Sequence, residues 1–176
     1  FNFAIRIMII DCHNHVGFEN EFEHQTSNEL LKMMKKAKVD KSVVFPFAPI
    51  TPTDSMKSEN EKIAKLCSLN DKYIGFGRVN QLSSDYLDEI DRIVKLGLKG
   101  VKVHTRRALV PQEIFDKLEK YKLPVLVHSA NCKNSRVGNL KQVKYSGPVI
   151  IAHAGKDYMG EAIELVNSRR NFYMDL

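Results

Sequence analysis

Apolar residues recur along the chain in two alternating rhythms. Short β-branched or apolar runs, at 7–13, 42–47, 73–79, 100–104, 124–130, 149–154 and 172–176, read as strands. Between them lie stretches with helical spacing. Ser27 caps a helix with Leu30, Met33, Met34 and Ala37 on one face. The next carries Ile63, Leu66 and Cys67, after a loop holding Pro46, Pro49 and Pro52. A third opens at Ser84 and Asp85, carries Leu87, Ile90, Ile93 and Val94, and stops at Gly97. Pro111 suits the first position of a fourth, with Ile114, Phe115, Leu118 and Tyr121. A fifth surrounds Val137, Leu140 and Val143, and a sixth Ala162, Leu165 and Val166. Strands alternating with helices predict a parallel sheet, doubly wound or closed as a barrel. No Gly-rich phosphate fingerprint follows the first strand, which speaks against a dinucleotide-binding fold.

Composition narrows the class only a little. The 176 residues suit one domain, and 43% hydrophobic with 27% charged residues is ordinary for a globular chain. The net charge of +6 and pI near 9.2 raise the question of nucleic acid. The densest basic run, 32–38, alternates with apolar residues at helical spacing, so it reads as a solvated helix face. No nucleic-acid partner is expected. Cys12, Cys67 and Cys132 are odd in number and fit no zinc-ribbon or disulfide spacing, so a reduced, cytoplasmic setting is expected. No run approaches the roughly 20 apolar residues of a membrane span, and no membrane partner is expected. Residues 1–7 lack the features of a signal peptide and read as an extension ahead of Met8, leaving 8–176 as the domain.

The histidines carry the chemistry. His13 and His15 fall at the end of the first strand, His104 of the fourth, His128 of the fifth and His153 of the sixth; only His24 falls in a loop. Barrel active sites sit at the C-terminal ends of strands. A single histidine there is ordinary packing, but five at one rim are not, because buried imidazoles need partners. Residues i and i+2 on a strand point the same way, so His13 and His15 can converge on one metal, with His128 as a third neutral imidazole. Three imidazoles with an open position are what a catalytic zinc needs to acidify water.

These segments resemble the amidohydrolase superfamily, in its amidohydrolase-related branch. Asp11-Cys12-His13-Asn14-His15 resembles the DxHxH opening. The run Gly100 to His104 resembles the strand-four GxKxH segment, Leu123 to His128 the LPVxxH segment, and Val149 to Gly155 the IxAHxG segment. Asn171 to Leu176 resembles the strand-seven segment. The resemblance implies an α/β fold of TIM type, a (β/α) barrel. A complete one typically needs about 250 residues, so an incomplete barrel of about seven parallel strands, lacking strand eight, is expected here. It further implies His13, His15 and His128 as metal ligands. His153 would hold a second metal, polarise the substrate oxygen or shuttle a proton. The family's remaining key group is an Asp at the end of strand eight. No residue here replaces it by motif, and Asp175, on the seventh strand, is not given that role.

Substrate contacts are expected from Lys102, His104 and Arg78. Lys102 would orient a substrate carboxylate or pair within the barrel, with carbamylation as the alternative. His104 would touch substrate or support a ligand from behind. Arg78, at the end of the third strand, suits an anion, and Arg106 and Arg107 lie on the same rim. Asp11 is expected as a structural acceptor and Cys12 as a core residue. The expected cofactor is a divalent metal, Zn2+ first, with Mn2+ or Fe2+ as alternatives. The expected partner is a small-molecule substrate, a carboxylate among the choices, with homo-oligomerisation left open. The expected reaction is hydrolysis of a C–N or C–O bond in a small carbonyl compound. A metal-dependent decarboxylase on the same scaffold is the alternative, as is an inactive fragment. Lys102 stands where related DNases carry Glu, which argues against a nuclease.

Overall fold

The computed structural model describes residues 7–18, 20–48 and 51–176. Seven strands, β1 (Ile10–His15), β2 (Lys41–Phe45), β3 (Tyr73–Val79), β4 (Gly100–Val103), β5 (Val125–Val127), β6 (Val149–Ile151) and β7 (Phe172–Met174), form one sheet in chain order. Every neighbouring pair is parallel. Helices α1 (Ser27–Ala37), α2 (Lys57–Leu69), α3 (Tyr86–Lys95), α4 (Gln112–Glu119) and α5 (Met159–Ser168) are the crossovers. The fold is an incomplete TIM-type (β/α) barrel, in which, among the described residues, β1 and β7 each pair on one side only. A short antiparallel pair, Gly17–Phe18 with His24–Gln25, stands beyond β1 and was not expected. None of the helices is long and apolar enough to cross a membrane, among the described residues.

Strand alternation divides the core in two. Val44, Val101, Val103, Val125, Val127, Val149 and Ile151 face outward and pack under Ile63, Ile90, Ile93, Ile114, Phe115 and Leu118 of the helices. Val43, Phe45, Phe76, Leu126 and Ala152 face inward and fill the barrel bottom. Gly77 permits the close seating of α3, since a Cβ there would lie 2.3 Å from Ile93 Cγ1.

Several boundaries differ from expectation. β1 begins three residues later and runs on through His15, while Ile7, Met8 and Ile9 are exposed. One extra residue in β1 between Asp11 and Asn14 bulges the strand. Cys12 is exposed rather than buried, because it sits on this edge strand. The N-cap of α1 is Thr26, one residue before Ser27, in a capping box with Glu29. Met33 is exposed, and Leu30 and Met34 carry the burial. The helix expected around Val137, Leu140 and Val143 is replaced by two 3-10 turns, Lys133–Ser135 and Val137–Leu140, which make the crossover between β5 and β6. The spacing of three among Val137, Leu140 and Val143 is the 3-10 period rather than 3.6, and all three are buried. Pro49 and residues 1–6 lie outside the described residues.

Candidate metal centre

Above the apolar floor opens a cavity of about 1170 Å³ at the C-terminal ends of the strands. All six histidines line it, His24 included. β1 supplies His13 and His15, whose ring centroids lie 5.6 Å apart. The register of β4 and β5 brings His104 and His128 together as a stack with centroids 3.8 Å apart. His153 follows β6, 4.5 Å from His13 and 5.1 Å from His128 between centroids.

His153 stands in an unusual backbone. It, Ala154 and Lys156 have φ of 57°, 48° and 47°, and Gly155 lies between them at 78°. Successive left-handed L-residues are costly and cluster at functional sites. Asp175 holds this turn. Its carbonyl accepts from Ala154 N–H at 2.6 Å and its Oδ1 from His153 N–H.

The second carboxylate oxygen of Asp175 lies 2.7 Å from His13 Nδ1, linking the two edges of the sheet at the rim. Burial raises the Asp175 carboxyl, but the His13 contact, the His153 N–H and the Lys102 charge outweigh it and hold the carboxyl below its ordinary range. His13, His153 and Asp175 offer donor atoms within 4.8 Å of one another, the grouping among the described residues compact enough for one ion. His15 and His128 share the cavity but stand outside that grouping.

Ring protonation follows from hydrogen bonding. His15 Nδ1 donates to the Pro46 carbonyl at 3.2 Å, which leaves Nε2 as a lone pair. His104 Nδ1 accepts from Arg106 N–H at 3.4 Å, so the neutral ring carries its proton on Nε2. The rings are held neutral, chiefly by burial and then by nearby positive charge. His15 and His104 are pushed down to about 2, His128 to about 3 and His153 to about 4.

Lys102 is fully buried in the inward row of β4, below the cavity lining. Its Nζ lies 3.3 Å from His13 Nε2 and 4.9 Å from the Phe45 ring centroid. Burial and the Arg78 charge push it down to about 7 against a partial pull upward from Asp175. Arg78 lines the cavity although only 2% exposed, and donates from Nη1 to the Pro46 carbonyl at 3.3 Å. Its backbone is fixed by Asn60, which accepts from Arg78 N–H at 2.7 Å and donates to Arg78 O at 2.9 Å. Arg106, Arg107 and Lys156 join it around the cavity, where Glu23 is the acidic side chain among the lining residues. Asp11 acts as the expected acceptor, taking His13 N–H at 3.2 Å.

The sequence assigns no site role to Asp175, His24 or Lys156, all of which stand at the cavity or against its histidines. The available signal for Asp175 was position: an acid directly after a strand, at the end of the barrel where the histidines gather.

Neither a protein-family model nor a curated protein matches the chain. Solved structures do resemble it. A 2,6-dihydroxybenzoate decarboxylase from Rhizobium aligns with a TM-score of 0.67 at 14% identity, over 89% of this chain and 69% of its own. A 2,6-dihydroxybenzoate decarboxylase in complex with 2,6-dihydroxybenzoate gives 0.68 at 15%, over 95% and 79%. A Pseudomonas putida protein assigned as a 2-pyrone-4,6-dicarboxylic acid hydrolase gives 0.64 at 14%, over 97% and 68%. At such identities the likeness is one of fold, the (β/α) barrel.

Proposed function

We propose that this chain is a metal-dependent enzyme of the amidohydrolase superfamily that hydrolyses a C–N or C–O bond in a small carbonyl compound bearing a carboxylate. One observation carries the reading: six histidines line a single strand-end cavity, four of them held neutral by burial and neighbouring charge, beside a buried arginine. Neutral imidazoles have free lone pairs, and a set of imidazole donors suits Zn2+, with Mn2+ or Fe2+ also accommodated. His13, His15 and His128 are the proposed imidazole ligands, and Asp175 and His153 lie against His13. A divalent ion bound there supplies a Lewis acid and lowers the pKa of a bound water towards 7.

The remaining steps belong to the chain. Arg78 holds the substrate carboxylate, and Arg106, Arg107 and Lys156 draw an anion to the mouth. His104 presents Nε2–H to a substrate oxygen. His153 takes a proton from the attacking water and returns it to the leaving group; starting from about 4, it does so as negative charge develops beside it and raises its basicity towards the operating pH. Lys102 sets the field beneath His13. The apolar floor of Phe45, Phe76 and Leu126 keeps the site dry from below and strengthens each of these interactions.

Decarboxylation is the second reading, favoured by the decarboxylases among the structural neighbours. Both readings begin with metal. Elemental mass spectrometry on the purified chain is expected to find near-stoichiometric zinc, manganese or iron that is lost in a His13→Ala/His15→Ala double variant. Metal-free protein after loading with each ion would overturn both readings. Carboxylated esters, lactones and amides, together with hydroxylated aromatic acids, then separate them. Hydrolysis incorporates 18O from solvent water into product, whereas decarboxylation releases CO2 and takes up solvent hydrogen at carbon.

A further inference from the structure

We infer that Asp175 is a positioning residue that fixes the tautomer and ring orientation of His13, so that Nε2 of His13 is the atom presented to a metal. The inference rests on the metal-dependent reading above. Asp175 lies directly after β7 and His13 on β1, so the contact joins the two edge strands of the sheet. The Asp175 side chain is 4% exposed and that of His13 12%. An ionised carboxylate only accepts hydrogen bonds. Oδ2 at 2.7 Å therefore requires the proton on His13 Nδ1. Nε2 is then a lone pair, and the group that meets it is a donor: Lys102 Nζ at 3.3 Å. The Lys102 contact is compatible with that tautomer, since an amine can donate whether or not it is charged.

The other carboxylate oxygen is also committed, since Oδ1 takes the N–H of His153. With each oxygen accepting an N–H, the Asp175 carboxylate is held against the His13 ring and the turn that carries His153. This is the arrangement in which a metal-binding imidazole donates its second N–H to a carboxylate, and losing such a partner typically costs about 10–100-fold in metal affinity. The same residue anchors the left-handed turn that carries His153, so one side chain sets the position of two of the rings.

The test has two arms. In 15N-histidine-labelled, metal-free protein near pH 7, two-bond 1H–15N correlation spectra should show His13 protonated at Nδ1 and bare at Nε2, with His13→Gln providing the assignment. In Asp175→Asn this preference should weaken, and zinc affinity, read by competition with a chromophoric chelator, should fall about 10–100-fold. Asp175→Glu should restore part of both. A parent protein with its His13 proton on Nε2 overturns the inference without recourse to any variant. So does an Asp175→Asn protein that keeps its fold by circular dichroism and binds zinc as tightly as the parent. If the parent binds no zinc, the metal reading fails by itself, and the tautomer still decides whether Asp175 orients the ring.

Discussion

Replacing Lys102 with methionine should stabilise the protein at neutral pH, by an amount that shrinks as pH rises. Lys102 is fully buried, and burial with the Arg78 charge brings it down to about 7 from an ordinary 10.5. Its folded pKa lies below its unfolded one, so between those values the unfolded chain holds more protons. Stability therefore climbs with pH across that window, by up to about 1.4 kcal/mol per pH unit. Across the whole window the gap is worth roughly 5 kcal/mol, of which about 4 kcal/mol is still to be gained at pH 7. Methionine fills a similar volume without charge. After loss of the contacts to Phe45 and His13, the variant should exceed the parent by about 2–4 kcal/mol at pH 7, or roughly 5–15 °C in Tm. Urea unfolding of both proteins with chelator present, from pH 6.5 to 10, isolates the effect, because the other titrating groups cancel in the difference. The difference should approach zero near pH 10. A flat difference over this range, or a variant less stable than the parent at pH 7, would refute the reasoning and mean that Lys102 is kept charged by its partners.

Arg78→Met should raise KM for a carboxylate substrate by about 10–100-fold, as expected from losing a charged hydrogen bond worth roughly 1.5–3 kcal/mol, and should leave an uncharged analogue little changed; equal loss on both would remove Arg78 from substrate binding. Gly77→Ala puts a Cβ 2.3 Å from Ile93 Cγ1 and should cost about 1–3 kcal/mol in urea titrations, with no loss expected if α3 can slide away. Thr26→Ala removes the capping box of α1 and should lower stability by about 1 kcal/mol with kinetics unaffected, so a change in kcat would contradict its purely structural place.

The strand and helix order was legible because the two hydrophobic periods differ and each strand is short. β3 begins and ends where the pattern places it, and α3 stops at Lys95, with Gly97 at φ of 73° just past its cap. The error after β5 had a physical signal: apolar residues spaced three apart, which favours 3-10 turns over an α-helix. Cys12 was misplaced because alternation along a strand tells which face a residue shares, but not whether a helix covers that face. Asp175 was set aside because motif order tied its role to another strand. What counted was the through-space meeting of β1 and β7 ends, which no spacing within one segment encodes.

The site depends on the fold in a further way that the sequence pattern only hints at. Lys102 and His104 share a row on β4 and its continuation, as do Phe76 and Arg78 on β3, and Leu126 and His128 on β5 and its continuation. In each row the polar group is carried at or above an apolar or buried level, so the barrel interior passes from dry floor to wet mouth within two residues. That gradient explains why the imidazoles are neutral and why Lys102 is pushed down to about 7: each is desolvated by burial, while Arg78 adds positive charge beside His15, His104 and Lys102, and Lys102 and Lys156 add it beside His128 and His153. A cavity that keeps its bases unprotonated and surrounds them with fixed cations favours an anion at its centre. On the proposed function, the fixed positive charge of Arg78 that weighs on buried Lys102 is also what would hold a carboxylate substrate in the cavity.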